Sequence, residues 1–184
     1  MKGFERENQL FSLCGLNCGL CPMRIGGYCG GCGNGNQSCR IARCSLEQGG
    51  IQYCCECGQY PCETYQDIDR YDSFITHKRR KADLERMQQI GIDAYSREQE
   101  EKVRILEYLL ACCNDGRRKN FFCVAVNLLG LDALQEAAGV VMDDPEAAAL
   151  PLAERCARVV NAIQSTAKRE NIQLKLNKKP KKKP

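Results

Sequence analysis

The sequence predicts a mainly α-helical protein in which a loop-rich N-terminal knuckle region packs on a small helical bundle. Three observations predict this class. Cysteines and glycines concentrate before residue 65, helix-forming and charged residues dominate after it, and no strand-like alternation of useful length occurs anywhere. The change in composition near residue 65 places the first expected boundary there.

Sulfur dominates the N-terminal region. Eleven of the 15 cysteines fall within residues 14–62, a density far beyond what burial alone would use. Two pairs, Cys29/Cys32 and Cys54/Cys57, have the C-x2-C spacing of a metal knuckle. The cysteines are therefore expected to act as metal ligands or as disulfides.

The compartment decides between these two roles, because disulfides persist in secreted proteins whereas cytosolic thiols stay reduced. The first 13 residues include Glu5 and Glu7 and lack the apolar run of a signal peptide. No apolar stretch approaches the length of a membrane-spanning helix. The odd total of 15 cysteines also excludes complete pairing within one chain. We therefore expect a cytoplasmic protein without a membrane partner, in which residues 1–65 form a metal-stapled, metal-binding region.

Zinc is the expected metal. Glycines inside and beside the two C-x2-C pairs allow tight turns, which let neighbouring thiolates converge on one tetrahedral ion. A 4Fe-4S cluster is the alternative, since closely spaced thiolates with Cys-Pro neighbours also suit iron–sulfur clusters. The spacing Cys14-x3-Cys18-x2-Cys21 resembles that of radical S-adenosylmethionine enzymes, but the helical remainder lacks the βα alternation of their barrel. That class is disfavoured.

Residues 66–167 are expected to be helical, because apolar residues recur there at helical spacing. Gly91 is expected to end one helix, and Ser96 to cap the next. The run over residues 121–129 is apolar on nearly every side and predicts the most buried helix. Pro151 is expected either to start or to kink the last helix, over residues 145–167.

The C-terminal end is strongly basic. Residues 165–184 carry eight Lys or Arg against one Glu, so the net charge of +4 conceals about −3 in the rest of the chain. Repeated Lys with Pro cannot build a packed core, which predicts a disordered tail over residues 168–184. The tail either contacts nucleic acid or an acidic partner electrostatically or serves as a solubilising terminus.

Several motifs in one order connect the chain to a known family. They are CGLNCGLCP from Cys14 to Pro22, the pair Cys29/Cys32, the segments 39–44 and 54–63, and DGRRKNFFC over residues 115–123. Together they resemble the cysteine-rich bacterial and archaeal family known as domain of unknown function 3795, over roughly residues 12–130. The resemblance implies a small metal-binding protein with no established reaction. It implies ten ligand candidates: Cys14, Cys18, Cys21, Cys29, Cys32, Cys39, Cys44, Cys54, Cys57 and Cys62.

A second candidate site is the basic cluster Arg117, Arg118 and Lys119. Three cations at the start of a helix oppose its dipole, so helix stability does not explain them. They either bind a small anion such as phosphate or carboxylate, with Cys123 one turn inside, or pair with acidic residues of the neighbouring helix. The sequence leaves both readings open.

Conventional catalysis is poorly supported, because His77 is the only histidine and no phosphate-binding loop motif occurs. Whether the protein is an enzyme stays open. Three functions from different classes remain. They are a zinc-binding module, an iron–sulfur protein in electron transfer or cofactor chemistry, and a thiol-based protein that handles metal or sulfur.

Overall fold

The protein is described by a computed structural model that covers residues 1–180. Within these residues the chain forms eight α-helices and no strand, with 54% of the chain helical, which confirms the mainly α-helical class. The helices are α1 (Pro22–Ile25), α2 (Arg40–Glu47), α3 (Arg80–Ile90), α4 (Ile92–Cys112), α5 (Lys119–Leu128), α6 (Leu131–Met142), α7 (Pro145–Ala149) and α8 (Leu152–Arg169). Three short 3₁₀ turns lie at Cys18–Leu20, Cys54–Glu56 and Glu63–Tyr65.

Two compact units make up the chain. Unit 1 contains residues 1–99 together with the terminal segment from Leu176 onward, and unit 2 is Glu100–Lys175. The change in composition at residue 65 therefore does not coincide with a division between units. A composition change marks where the cysteines end, whereas a compact unit is defined by packing, and α3 packs with the cysteine-rich loops.

Unit 1 has a small aromatic core. Phe11 stacks on Tyr53 with ring centroids 5.0 Å apart, and Tyr95 meets Phe11 edge-on at 4.9 Å. Leu84 and Met87 of α3 are buried in the same cluster. The loop-rich region thus packs on a helix of its own unit, through side chains that are few but large.

The segment over residues 66–79 was expected to be helical, and the structure contradicts this, because α3 begins only at Arg80. The Asp72 carboxylate accepts hydrogen bonds from the backbone of His77 at 2.6 Å and from the backbone of Asn177 at 2.6 Å. A carboxylate that collects backbone donors competes with helix formation. This segment is therefore a series of turns.

The junction between α3 and α4 was predicted in part. Gly91 ends α3 with a φ of 84°, as expected of a glycine after the last helical turn. The expected cap Ser96 instead lies inside α4, which begins at Ile92, and its hydroxyl accepts a hydrogen bond from Asn8 at 2.9 Å. That partner is far away in sequence, so local capping rules could not reveal it.

Unit 2 is built from longer helices. All residues of α5 from Phe122 to Leu128 are buried, which confirms the prediction that this run forms a highly buried helix. The single helix expected over residues 145–167 is two helices, since α7 ends at Ala149 and Pro151 caps the start of α8. Pro151 therefore starts a helix and does not kink one.

The expected disordered tail over residues 168–184 differs from the structure in its first part. Lys168 and Arg169 form the last turn of α8, and Asn177 exchanges backbone and side-chain hydrogen bonds with Asp72. Residues 181–184 lie outside the described residues. Among the helices described, none has the length and apolarity to cross a bilayer.

Candidate functional site

Within residues 1–180 no cysteine is paired in a disulfide, and the ten ligand candidates all belong to unit 1. Two pairs of them are held by the same local structure. The backbone N–H of Cys21 donates to the carbonyl of Cys18 at 3.1 Å, and that of Cys57 donates to the carbonyl of Cys54 at 3.1 Å. Side chains at positions i and i+3 eclipse one another in a 3₁₀ turn. Each pair therefore presents its two thiols on one side of the backbone.

The pair Cys29/Cys32 uses glycine, as predicted. Gly31 has a φ of 94°, and a Cβ placed on it would lie 2.3 Å from the Gln9 side-chain oxygen. Gly58 was expected to make the corresponding turn after Cys57, but its φ is not positive. The 3₁₀ turn that begins at Cys54 reverses the chain between Cys54 and Cys57 instead. Spacing alone does not distinguish these two ways of folding a C-x2-C pair.

Five of the thiols form what we call the N-terminal thiol group. They are Cys14, Cys18, Cys21, Cys29 and Cys32. Burial, together with the charges of the other four thiols, raises the pKa of the Cys18 thiol to about 12. Burial also raises the pKa of Cys32, and Cys39 lies near enough to add to this. The five thiols are therefore close neighbours.

A buried arginine contacts this group. The Arg80 guanidinium, 7% exposed, donates to the Cys14 carbonyl at 3.2 Å, to the Ile68 carbonyl at 3.3 Å and to the Cys14 sulfur. The Ser12 hydroxyl also lies 3.2 Å from that sulfur. Within residues 1–180 no carboxylate lies within ion-pair distance of Arg80. Its charge is therefore directed at the thiol group.

Four of the five remaining candidates surround a cavity of about 30 Å³, which we call the four-thiol cavity. Its thiols are Cys44, Cys54, Cys57 and Cys62. The other lining residues are Ile41, Ser45, Ile51, Tyr60, Thr64 and Tyr65, none of which is charged. Cys44 comes from α2, Cys54 and Cys57 from one 3₁₀ turn, and Cys62 from the start of the next.

Tyr65 is the least expected member of this cavity. It is 2% exposed, and its hydroxyl has no partner that meets hydrogen-bond geometry. The hydroxyl nevertheless lies close enough to Cys54 to act on that thiol. Burial raises the pKa of Cys54 to about 12, and the Tyr65 hydroxyl makes this rise smaller than it would otherwise be. Burial likewise raises the pKa of Tyr65, and the Cys54 charge raises it further.

Not every candidate is brought together. Cys39 precedes α2 and lies between the two sets of thiols in sequence, while Cys55 is buried beside Cys54 but does not line the cavity. No three Cys, His, Asp or Glu side chains among residues 1–180 converge closely enough to hold a metal ion without rearranging. Binding would require the thiols to close in on the ion.

The basic cluster lies in unit 2. Arg118 precedes α5 and pairs with Asp115 at 3.6 Å, so its acidic partner is local and does not come from a neighbouring helix. Arg117 is exposed and Lys119 is the first residue of α5. Anion binding by this cluster stays a prediction.

His77, the only histidine of the chain, lies in the segment before α3. Its Nε2 atom is 3.0 Å from the Ser73 hydroxyl, and burial lowers the pKa of the imidazole. The residues that the sequence did not single out are Arg80, Ser12 and Tyr65. Of these, only Tyr65 could have been found from the sequence. It follows Cys62 by three residues, and this spacing places both side chains on one side of a 3₁₀ turn.

Comparisons with known proteins found no match. No protein-family model matches the sequence, no curated protein is similar to it, and no solved structure is similar to the fold. The resemblance to the domain-of-unknown-function family stays a prediction.

Proposed function

We propose that this chain is a small cytoplasmic metal-binding protein that holds zinc through cysteine thiolates of unit 1. The observation that carries the proposal is the gathering of ten free candidate thiols in one unit, four of them around one uncharged cavity. Neighbouring thiolates repel one another, and burial further disfavours their ionisation. A bound dication removes both penalties, which is why clustered thiols bind metal and release protons when they do so.

The residues present fit zinc. Four thiolates satisfy its tetrahedral coordination, and an uncharged lining offers no competing ligand. When bound, the ion would cross-link α2 and the two 3₁₀ turns that follow it. These segments otherwise share few large apolar side chains, so such a link would contribute directly to the free energy of folding.

An iron–sulfur cluster is the second candidate, and a specific contact favours it in the N-terminal thiol group. Arg80 donates to the Cys14 sulfur, and the Ser12 hydroxyl lies 3.2 Å from the same atom. Donors to ligand sulfurs stabilise the negative charge of a cluster and tune its reduction potential. A zinc–thiolate centre is also anionic, so metal analysis is needed to choose between the two.

The first experiment is elemental analysis of protein purified without oxygen from a cytoplasmic expression host. We expect a colourless protein with zinc in stoichiometric amounts and nearly all 15 cysteines reactive as thiols after denaturation and metal removal. A brown protein with broad visible absorbance and stoichiometric iron would support the second candidate. Protein that carries no metal, and takes up none on reconstitution, would overturn the proposal.

Metal removal provides the second test. With a strong chelator, we expect the backbone amides of residues 1–99 to lose protection from hydrogen exchange, while unit 2 keeps its protection because its helices have an apolar core. Unit 2 is the internal control. Unchanged exchange in unit 1, once the metal is shown to be gone, would contradict a folding role for the metal.

A further inference from the structure

We propose that one four-thiolate metal site, separate from the N-terminal thiol group, is formed by Cys44, Cys54, Cys57 and Cys62. This inference rests on the proposed function and makes it more specific, because it separates four of the ten candidate thiols from the five of the N-terminal thiol group. The division does not follow from the spacing of the cysteines along the chain. It follows from the way that the backbone surrounds one cavity.

Backbone hydrogen bonds hold the ligands of this site in place. The N–H of Tyr60 donates to the carbonyl of Cys57 at 2.9 Å, and that of Tyr65 donates to the carbonyl of Cys62 at 2.8 Å. On the other side, the buried Ser45 hydroxyl donates to the Ile51 carbonyl at 2.7 Å. This bond ties α2, which carries the first thiol, to the segment that leads into the second. The four thiols are thus linked by short, local connections.

The lining of the cavity fits a metal ion. The cavity of about 30 Å³ has room for one ion between the four thiols once they close in on it. With no charged side chain in the lining, thiolates are the available ligands for a dication.

Tyr65 places a hydroxyl beside one of the four thiols. This hydroxyl is buried at the cavity, acts on the Cys54 thiol and has no other partner among the described residues. A metal-bound Cys54 thiolate would accept a hydrogen bond from it. Donors of this kind orient the ligands of metal sites and strengthen their binding.

The N-terminal thiol group is distinct because other residues engage it. Arg80 and Ser12 contact the Cys14 sulfur, and neither lines the four-thiol cavity. Cys14 is near enough to raise the pKa of Cys54, so the two centres are neighbours. They nonetheless draw on different thiols and different polar partners.

The test uses the full chain, purified without oxygen and reconstituted with zinc or cobalt, with metal per chain as the first measurement. We expect C44S to lose one equivalent of metal relative to the wild type. Cys44 is exposed on α2, so this variant is the least disruptive of the set. A variant with all four cavity cysteines changed to serine is expected to lose the same single equivalent. C55S, which changes a buried neighbour outside the cavity, should keep the wild-type content.

A second readout does not depend on folding of the cysteine variants. Y65F removes only the hydroxyl, and we expect it to keep the wild-type stoichiometry, shift the thiolate-to-cobalt charge-transfer band, and lower zinc affinity roughly 10-fold. A tyrosine that merely fills space would leave both the band and the affinity unchanged. That result would overturn the role of Tyr65 as a donor to the site.

The outcomes separate the two proposals. If the wild type binds no metal, the proposed function fails and this site fails with it. If the wild type binds metal and C44S keeps its full content, only the four-thiolate site is wrong. If C14S and C44S each lose metal but their double variant loses no more than either alone, the thiols share one centre and the division is wrong. Additive losses support two centres.

Discussion

At the scale of single residues, one close backbone approach determines how the cysteine loop meets α3. Gly15 has a φ of 83°, and a Cβ placed on it would lie 2.4 Å from the backbone carbonyl oxygen of Arg80. Arg80 in turn reaches back to Cys14. The absence of a side chain at Gly15 thus lets the first residue of α3 sit against the thiol group.

We expect Gly15→Ala to lower the free energy of unfolding of unit 1 more than Gly91→Ala does. Both glycines have a positive φ, so alanine at either costs about 1–2 kcal/mol of backbone strain. A Cβ added at Gly91 would meet open space. A Cβ added at Gly15 would also clash with the backbone, and overpacking of this kind costs about 1–3 kcal/mol. Denaturant unfolding of both variants in the same metal-loaded state measures the difference. Equal losses would show that the loop moves away from α3 without cost.

Much of the site could be predicted at this scale, but its partners could not. The ten thiols stand out in the sequence because metal ligands recur at short spacing. Arg80 is separated from Cys14 by 66 residues. It is one of several neighbouring basic residues, and nothing in the sequence indicates that this one is buried. Which thiols share a cavity likewise depends on turns whose geometry is not encoded in spacing alone.

At the scale of secondary-structure elements, α7 depends on its cap. The helix is only five residues long, and the Asp144 carboxylate accepts hydrogen bonds from the backbone of Glu146 at 3.0 Å and of Ala147 at 3.1 Å. Its other oxygen accepts from Arg158 of α8 at 2.8 Å. A helix this short has little intrinsic stability, so the cap and the ion pair both matter.

We expect the stabilisation that the Asp144 charge provides to disappear in acid. The backbone bond from Ala147 lowers the pKa of this carboxyl, and the Arg158 charge lowers it further. A lowered folded-state pKa means that the contribution is complete above the unfolded pKa and lost as pH falls through the folded one. The thermal midpoint of wild type should therefore exceed that of Asp144→Asn at about pH 6, and the difference should shrink progressively as pH falls below the ordinary aspartate pKa of about 3.9.

Asparagine can still cap the helix but cannot ionise, so this variant isolates the charge. Asp144→Ala, which loses the cap as well, should be less stable than Asp144→Asn at every pH. A difference between wild type and Asp144→Asn that does not change with pH would contradict the role of the charge.

Helices were predicted well where packing follows local periodicity and poorly where a distant partner intervenes. The apolar run of α5 identified a buried helix, and Gly91 identified an end. Residues 66–79 have helical spacing but form turns, because Asp72 accepts a backbone donor from Asn177, 105 residues away. A pattern within one window cannot include such a partner.

At the scale of the whole molecule, unit 1 is assembled from both ends of the described chain. The backbone N–H of Asp72 donates to the Asn177 carbonyl at 2.8 Å, and the Asn177 side chain donates to the Arg70 carbonyl at 2.7 Å. Unit 2 is therefore an insertion between two parts of unit 1. The composition of the basic end pointed to charge and did not indicate this contact.

We expect truncation after Lys175 to destabilise unit 1 and to leave unit 2 unchanged. The truncation removes the hydrogen bonds that Asn177 makes with Asp72, of which the one to the carboxylate is worth about 1.5–3 kcal/mol. Truncation after Pro180 is the matched control, because it shortens the basic end but retains Asn177. Hydrogen exchange of residues 68–80 in the two proteins measures the effect. Equal protection would show that the Asn177 contact is not stabilising.

The return of the chain to Asp72 also has a consequence for protein synthesis. A ribosome adds about 5–20 residues per second, so the 105 residues between Asp72 and Asn177 take roughly 5–20 s to make. The cysteine loops leave the ribosome during that interval, while their unit still lacks its last segment. The nascent thiols are thus accessible to metal, and to oxidants, before the unit can close. Cells that deliver metal within this interval would load the protein as it is being made.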